Sequence, residues 1–552
     1  MPIVTVAMPW LSSGVCSALR AMPALWTHCG TYPLFLILPG HGRKPYLEAP
    51  MDIRFQQAPA ADWRANTAIV FGFKDENLIE QIPAFADAAP WVTITPARHD
   101  FRGDKNQVVV MYGHPEIPLP RCIAVGLGDR AKFTLDILRG AVATAMQKCR
   151  ELKVDTCALD LEIFSKIDEL DTVLVEEAVA AALLSLYTYD SLKTTMDEPA
   201  HSPRWMALLS TETNFPDDLH AAARRGEAAA LGVMATRDLV NGPANIVTPA
   251  HLVEKAEAMG RKYGFKVRAI NGPELAEMGM GAFESVFKGA EEQAKLLVME
   301  YAPKGTENDA PIVFVGKGVT FDTGGISLKP SAAMHEMKSD MAGAAAVIGL
   351  FEALGNSDIK RHVVGIAPCT ENMPDGRATR PGDVVKTLSG KTVEVINTDA
   401  EGRLILCDAL TWAQNEYKPA AIFDLATLTG ACVVALGTEV AAVFATDEAL
   451  SKQVQDLGSR VGDRFWPMPL WDLYFEPLKS DVADMMNVGG REGGAINAAL
   501  FLKQFIGEGV RWAHLDIAGP AYKSKKSPLS VPGGTGFAVR TLLEIVRNGV
   551  AE

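Results

Sequence analysis

The sequence predicts an α/β protein of two domains, each a mixed, mostly parallel β-sheet flanked by helices. Three observations lead to this prediction. The length of 552 residues is enough for two or three domains. Short β-branched runs alternate with helical segments, which is typical of βαβ units. One of these runs enters a glycine-rich loop, and open α/β sheets carry their functional sites in such loops.

The first domain is predicted to span residues 1–200. Apolar β-branched runs indicate strands there, and the last run leads into a helix that extends to about residue 152; the runs are 67–71, 107–111 and 122–126. The segment 201–217 belongs to a proline-containing stretch and is interpreted as a linker. A helix from about 218 to 240 would then open the second domain, residues 218–552.

Composition excludes several classes of protein. The net charge is −14, from 53 basic and 67 acidic residues, and the absence of a basic run argues against nucleic-acid binding. The longest apolar stretches contain Asp or Glu, so no membrane span is predicted. Eight cysteines without a C-x-x-C pair, and a start without a basic segment or cleavage pattern, predict a cytoplasmic protein with reduced thiols.

An acidic motif at 397–404, Asn-Thr-Asp-Ala-Glu-Gly-Arg-Leu, carries the strongest chemical signal. If Asp399 and Glu401 end a strand, their side chains point the same way, and Arg403 can project beside them. Two converging carboxylates bind divalent cations, and an arginine can hold an anion in bidentate fashion. Taken alone, such a motif is more often a surface turn with a salt bridge.

A second segment upstream changes the balance between these interpretations. The apolar run 311–315 predicts a buried strand, and the glycine-rich loop after it carries Lys317, Asp322 and Lys329. Asp340 precedes the apolar helix start 341–350, where an aspartate is most often an N-cap. Together with Asp399 and Glu401, the residues Lys317, Asp322 and Asp340 supply four carboxylates and one amine without His or Cys, which suits a two-metal site.

Three other catalytic motifs are absent. No G-x-x-x-x-G-K-[ST] phosphate loop occurs, because residue 385, before Gly390-Lys391-Thr392, is Val where that motif needs Gly. His335-Glu336 is followed by Ser339 where the H-E-x-x-H zinc helix needs His. There is no G-x-S-x-G elbow either. A serine hydrolase and a His-based zinc protease are therefore unsupported.

The two segments resemble the signatures of the leucyl aminopeptidase (cytosol aminopeptidase) family of dinuclear metallo-exopeptidases. The signatures are 316–325 and 397–404, and the spacings between all seven functional positions fit without a gap. The resemblance is close over about residues 215–552 and loose before that, and it continues in flanking segments: 237–245, 334–341, 424–431 and 512–519.

The resemblance implies two divalent metal ions per subunit, Mn or Zn, with Mg or Co as further possibilities. One ion would be held by four side chains: Lys317, Asp322, Asp340 and Glu401. The other would be held by Asp322, by Glu401 and by both the side chain and the carbonyl of Asp399. The Lys317 amine binds a metal only when it is deprotonated, so metal binding must expel its proton.

The resemblance also implies the chemistry. A water held between two metal ions has a lowered pKa and can attack the first peptide bond of a peptide whose α-amino group binds one ion. Lys329 would polarise the scissile carbonyl and stabilise the oxyanion. Arg403 would hold a bicarbonate that shuttles protons.

Specificity and assembly follow from the same resemblance. Met337, Thr427 and Ala518 would line the pocket for the first side chain, which favours Leu, Met or other apolar residues; each could equally be a packing residue. The segment 489–494 would be a mobile loop or a plain turn. The first domain would carry no catalytic residues and would help to assemble a homohexamer.

Two alternatives remain at this point. One is another dinuclear metallohydrolase, such as a dipeptidase or a peptidase acting on Cys-Gly. The other is a non-enzymatic relative that keeps the fold. Loss of a ligand, of Lys329 or of Arg403 would signal the second alternative, and all seven residues are present.

Overall fold

The computed structural model describes residues 51–57, 62–161, 172–195, 200–210 and 217–551. Within these ranges, every helix is too short or too polar to cross a membrane. The cysteines in these ranges are all buried and free, namely Cys122, Cys149, Cys157, Cys369, Cys407 and Cys432. Cys16 and Cys29 lie outside the described residues.

The first part of the chain forms one sheet with helices. Its strands are β1 (Asp52–Gln57), β2 (Thr67–Gly72), β3 (Val108–Tyr112), β4 (Arg121–Gly126), β5 (Thr156–Asp160) and β6 (Trp205–Ser210). Its helices are α1 (Leu78–Gln81), α2 (Pro83–Ala88), α3 (Leu135–Glu151) and α4 (Thr172–Ser185). The spatial order is β1-β6-β5-β2-β4-β3, and only β3 runs antiparallel to its neighbour. The three strands predicted from the apolar runs are β2, β3 and β4.

Strand β6 lies inside the segment 201–217, where a linker is predicted. It pairs in parallel with β1 on one side and β5 on the other. Its sequence, Trp-Met-Ala-Leu-Leu-Ser, is a mostly apolar run, and such a run fits a strand buried between two neighbours. The first sheet therefore extends to Ser210, beyond the predicted boundary at residue 200.

The rest of the chain forms the larger sheet and its helices. The helices are α5 (Asp217–Asn241), α6 (Pro249–Tyr263), α7 (Gly272–Glu277), α8 (Gly281–Phe287), α9 (Ala342–Gly355), α10 (Gly402–Tyr417), α11 (Gly430–Leu436), α12 (Glu448–Val461), α13 (Gly494–Lys503) and α14 (Val539–Asn548). The strands are β7 (Lys266–Asn271), β8 (Lys295–Tyr301), β9 (Ile312–Gly316), β10 (Gly318–Asp322), β11 (Val363–Asn372), β12 (Asp383–Lys386), β13 (Thr392–Val395), β14 (Ala421–Ala426), β15 (Val440–Ala445), β16 (Arg464–Pro467), β17 (Met485–Met486), β18 (Trp512–Asp516), β19 (Tyr522–Lys523) and β20 (Gly533–Gly534). Helix α5 matches the predicted helix 218–240.

The larger sheet has the order β16-β15-β18-β14-β9-β11-β8-β7, with β10 pairing to β11. Its central strands β18, β14, β9 and β11 are parallel, whereas β7, β8 and β15 pair antiparallel. A smaller sheet has the order β12-β13-β17. The predicted α/β class with mixed, mostly parallel sheets is confirmed.

The parallel strands β9, β14 and β18 bring their carboxyl ends to one edge of the sheet. All five residues of β9, Ile-Val-Phe-Val-Gly, are buried, as expected for a central strand covered on both faces. Gly316, its last residue, lies against α9: a Cβ there would stand 2.4 Å from the carbonyl oxygen of Gly343. Only glycine allows this approach, which brings the loop after β9 next to the start of α9.

Candidate metal centre

The site is built from loops that follow buried strands at this edge. Lys317 lies between β9 and β10, and Asp322 is the last residue of β10. Asp340 precedes α9, and Glu401 immediately precedes α10. Strands and helix starts, rather than long loops, therefore hold the side chains in place.

Asp399 and Glu401 do not end a strand, so that expectation is wrong. Strand β13 stops at Val395, and the next residues form a turn closed by Asn397. The Oδ1 of Asn397 accepts from the backbone N of Asp399 at 2.9 Å, and its carbonyl accepts from Ala400 N at 3.2 Å. An asparagine side chain closes such turns readily, and Glu401 is already helical at φ −77° and ψ −35°.

Lys317 lies at the centre of the site and is buried. Its Nζ is 2.8 Å from Asp340 Oδ2 and 2.7 Å from Glu401 Oε1, and it donates to the carbonyl of Thr427 at 3.0 Å. Burial lowers the pKa of Lys317, but the carboxylates of Asp340 and Glu401 outweigh this effect and raise it. The amine thus meets two acids directly.

The acids themselves form a tight group. Carboxylate oxygens of Asp322, Asp340 and Glu401 all lie within 4.8 Å of one another, and all three residues are buried. Burial raises the pKa of Asp340 and of Glu401, and repulsion from Asp322 adds to both effects. The Oε2 of Glu401 is buried and has no hydrogen-bond partner among the described residues. Crowded hard-oxygen donors with an unused buried lone pair fit a divalent cation.

Asp399 stands beside this group and contacts it through Lys329. The Nζ of Lys329 is 2.8 Å from Asp322 Oδ2 and also pairs with Asp399. Burial lowers the pKa of Lys329, but the carboxylates of Asp322 and Asp399 outweigh this and raise it. Lys329 therefore stays charged and faces the carboxylate cluster.

Two glycines are required by the close packing. A Cβ at Gly402 would lie 2.9 Å from Lys317 Nζ, so the start of α10 can approach the amine only without a side chain. Gly324 has φ +85°, and a Cβ there would lie 2.8 Å from Asp399 Oδ1.

Arg403 lies in the first turn of α10 and is buried. Its Nη1 donates to the carbonyl of Asn487 at 2.8 Å, and its Nε has no hydrogen-bond partner among the described residues. Burial lowers the pKa of Arg403 to about 10. A buried guanidinium with an unused donor fits an anion.

The three predicted pocket residues are partly exposed and adjoin the acids. The Thr427 hydroxyl donates to Asp340 Oδ1 at 2.7 Å, and the Met337 carbonyl accepts a hydrogen bond from the backbone N of Asp340 at 3.2 Å. Ala518 N donates to Asp516 Oδ1 at 3.2 Å. Asp516 also accepts from the backbone of Leu428 and from the Thr429 hydroxyl, so it holds the residues after β14 beside those after β18.

Sequence reasoning missed three buried residues that hold the site. Asn372 Nδ2 donates to Asp322 Oδ1 at 2.8 Å and to the carbonyl of Thr398 at 3.1 Å. Asp516 and Asn487 act similarly on the neighbouring loops. For Asn372 a signal was available, because it ends β11 beside the predicted strand; Asn487 lies about 90 positions from its partners, and no local pattern marks it.

A cavity of about 660 Å³ lies elsewhere, between α8 and the β12–β13 hairpin. Its lining contains Lys288 and Lys386 but none of the predicted site residues. Among the described residues, no group of acids converges there, so the chemistry of the carboxylate cluster outweighs the size of this cavity in locating the site.

Family comparisons agree with this geometry. The family model described as "Cytosol aminopeptidase family, catalytic domain" matches residues 234–543, and "Cytosol aminopeptidase family, N-terminal domain" matches residues 69–196. The chain belongs to the cytosol aminopeptidase family. It is therefore a metal-dependent aminopeptidase, a hydrolase acting on peptides, and the predicted family and enzyme class are confirmed.

Relatives of the family match nearly the whole chain. A probable cytosol aminopeptidase of Nitratidesulfovibrio vulgaris is 62% identical over 504 residues, covering 91% of this chain and 99% of the relative. A probable cytosol aminopeptidase of Oleidesulfovibrio alaskensis is 59% identical over 511 residues, covering 91% and 99%.

Two solved structures share this aminopeptidase fold. The bottromycin maturation enzyme BotP in complex with Mn is 34% identical with a TM-score of 0.76, covering 88% of this chain and 99% of that one. A tomato leucine aminopeptidase mutant is 32% identical with a TM-score of 0.79, covering 92% and 98%.

Proposed function

We propose that this aminopeptidase removes apolar first residues, Leu or Met above all, at a centre that holds two divalent ions. The observation that carries the proposal is the buried cluster of Asp322, Asp340 and Glu401, with mutual oxygen distances within 4.8 Å and Lys317 Nζ against two of them. One ion would bind Lys317 and these three acids. The second would bind Asp322, Glu401 and Asp399.

Bound ions would lower the pKa of a water and polarise the scissile carbonyl. The protein supplies the rest. Lys317 must lose its proton to act as a ligand. Burial raises the pKa values of Asp340 and Glu401, so bound cations would offset the cost of keeping these buried carboxylates charged. Asn372 holds Asp322 at Oδ1, and the other oxygen, Oδ2, faces the site, where it pairs with Lys329.

Lys329 is proposed to stabilise the oxyanion that develops on the substrate carbonyl. It is charged, and its side chain is 21% exposed, so a substrate can reach it. Arg403 is proposed to hold a bicarbonate as proton shuttle. Its buried unpaired Nε supports an anion there.

Met337, Thr427 and Ala518 are proposed to line the pocket for the first side chain. Their support is their position: Thr427 touches Asp340, and Asp516 joins the loops of Thr427 and Ala518. A methionine and an alanine leave an adaptable apolar space. The loop 489–494 next to α13 is proposed to move when substrate enters.

For the ions, Mn or Zn is proposed, with Mg or Co as further possibilities. The Mn complex of BotP supports Mn. We further propose a cytoplasmic homohexamer assembled with the help of the first domain, which is followed by the catalytic domain, 218–552. Because β6 belongs to the first sheet, the boundary of the first domain is placed after Ser210 rather than at residue 200. The buried free cysteines and the word cytosol in the relatives' names support the compartment, and the net charge of −14 argues against nucleic-acid partners.

A single assay series tests the proposal. The chelator-treated protein is given Mn²⁺, Zn²⁺, Mg²⁺ or Co²⁺ and assayed with leucine p-nitroanilide, with and without bicarbonate. A panel of peptides that includes Cys-Gly and other dipeptides separates a broad aminopeptidase from a dipeptidase. Hydrolysis of Leu- and Met-initiated peptides of several lengths is expected. Cleavage of dipeptides alone would contradict the proposal.

A further inference from the structure

Asn487 is a buried residue next to the metal centre that touches neither the carboxylate cluster nor Lys317. It follows β17, which pairs in parallel with β13, and its backbone N donates to the carbonyl of Glu394 at 2.9 Å. Its exposed fraction is 0%. The pairing with β13 brings it under the turn that carries Asp399.

The side-chain amide of Asn487 is fully used on that turn. Its Oδ1 accepts from the backbone N of Ile396 at 2.9 Å and of Asn397 at 3.3 Å. Its Nδ2 donates to the carbonyls of Asn397 at 2.7 Å and Ala400 at 3.4 Å. Only an amide supplies acceptor and donors from one planar group, so Asn487 fixes the backbone on both sides of Asp399.

The backbone of Asn487 acts on the arginine. Its carbonyl accepts from Nη1 of Arg403 at 2.8 Å. Within the described part of the chain, the Asn487 carbonyl is therefore the hydrogen-bond partner of the Arg403 side chain. The Nε of Arg403 is buried and has no partner there. The direction of the guanidinium thus depends on the same residue that fixes the turn.

We propose that Asn487 is a positioning residue that sets the distance between the Asp399 turn and the Arg403 anion site. The proposal rests on the proposed function for the role of Arg403 as bicarbonate holder. Residues that hold ligands in place typically change metal affinity or activity 10- to 100-fold when they are replaced. Asn487 would act both on the turn that carries the proposed metal ligand Asp399 and on the proposed anion site at Arg403.

The test is Asn487→Asp, which keeps shape and the Oδ1 acceptor but turns the donor toward Asn397 and Ala400 into an acceptor. We expect kcat to fall roughly 10- to 100-fold, with KM for leucine p-nitroanilide within about threefold. The bicarbonate concentration for half-maximal activity should rise about tenfold. In titrations of the chelator-treated protein followed by electron paramagnetic resonance, one of the two Mn²⁺ equivalents, the one proposed at Asp399, should loosen about tenfold while the other stays unchanged.

Asn356→Asp is the matched control. Asn356 is a half-buried asparagine whose Nδ2 donates to Tyr263 Oη and to the Glu352 carbonyl, both at 2.8 Å. It lies past the far end of α9, about 20 Å along the helix from Asp340. The control should leave bicarbonate response and Mn²⁺ binding unchanged. If Asn487→Asp does not fold, Asn487→Ser, which keeps one donor, is measured in the same way.

A lower melting temperature in the Asn487 variant with unchanged bicarbonate response and unchanged Mn²⁺ binding would overturn the proposal, because the residue would then be structural only. A different result would count against the proposed function instead. If the wild-type protein ignores bicarbonate and Arg403→Ala keeps its kcat, the role of Arg403 fails. The Mn²⁺ titration then still decides whether Asn487 positions the Asp399 turn.

Discussion

Two buried clusters of charge in this molecule each contain a glutamate among basic side chains, with opposite consequences for its pKa. In one, Glu177 of α4 bonds through both oxygens to arginines, Arg139 of α3 and Arg540 of α14. Burial alone would raise the pKa of Glu177, but the positive charges of Arg540 and Arg139 outweigh the effect of burial, so the pKa is lowered. In the metal centre, Glu401 has an unpaired oxygen and a raised pKa.

The difference is one of charge balance rather than of burial. Glu177 and Glu401 have almost the same small exposed fraction. The acid between two arginines is satisfied and joins α3 and α4 to α14. The acids of the metal centre outnumber the lysines near them, so they gain from added cations. The unsatisfied buried charge therefore supports the proposed metal centre, whereas the satisfied charge of Glu177 fits a structural ion pair.

Removing an acid from the metal centre should give the largest effect. Asp322→Ala or Glu401→Ala should lower hydrolysis at least about 10,000-fold, or more than 5 kcal/mol of transition-state stabilisation. Mn²⁺ binding, measured by equilibrium dialysis, should be lost as well. The free energy of unfolding without metal should hold or rise, because repulsion among the acids is relieved. Full activity in either variant would contradict the proposed metal centre.

Glu177→Gln should have the reverse pattern. It removes the acid that two buried arginines share, leaving Arg139, among the described residues, only its pair with the half-exposed Asp136, and should cost about 3–5 kcal/mol in the free energy of unfolding. The kcat of the folded fraction should be unchanged. Lys452→Ala is the control: its pair with Asp456 is 76% and 60% exposed, and its loss should change stability by roughly 0–1 kcal/mol. If urea titrations show the same loss in the free energy of unfolding for Glu177→Gln and Lys452→Ala, the buried cluster around Glu177 is not a structural one.

The contribution of Glu177 should also depend on pH. Its folded pKa is below the ordinary value of 4.5, so the stabilisation is present above pH 4.5 and is lost as the pH falls through the folded pKa. The stability difference between wild type and Glu177→Gln should therefore shrink in acid. A difference that stays constant from pH 7 down to the acid limit of folding would show that charge is not the cause.

Lys329→Met should separate chemistry from stability within the metal centre. It removes the ammonium but keeps most of the side-chain length, and kcat should fall about 100- to 1,000-fold. Mn²⁺ stoichiometry should remain the same, since Lys329 is not a proposed ligand. Loss of Mn²⁺ with an unchanged rate per bound metal would instead assign Lys329 a structural role.

Asn372→Ala should produce the smallest effect of the series. It removes the donors to Asp322 Oδ1 and the Thr398 carbonyl, and Mn²⁺ affinity should weaken roughly 10- to 100-fold. Asn356→Ala, remote from the site, is the matched control and should leave Mn²⁺ affinity unchanged. If the two variants bind Mn²⁺ equally well, Asn372 does not orient Asp322.

Much of the fold could be predicted locally. Strand β9 and helix α5 were predictable because the local sequence pattern of a continuous β-branched run or of a long helical segment is enough to indicate its secondary structure. Strand β6 was not, since its neighbours β1 and β5 come from distant parts of the chain and decide its pairing. The turn at 397–400 was missed because the Asn397 side chain, rather than alternation, sets the backbone there.

The sequence by itself determined the family and the residues that can carry the chemistry, because the spacing of Lys317, Asp322, Asp399, Glu401 and Arg403 is a property of the chain. The tertiary structure alone decided which of them meet. It groups Asp322, Asp340 and Glu401 around Lys317 and leaves Asp399 beside Lys329. It also recruits Asn372, Asp516 and Asn487 to hold them. Hydrogen bonds between segments far apart in the chain leave no periodic trace, so only the folded arrangement reveals them.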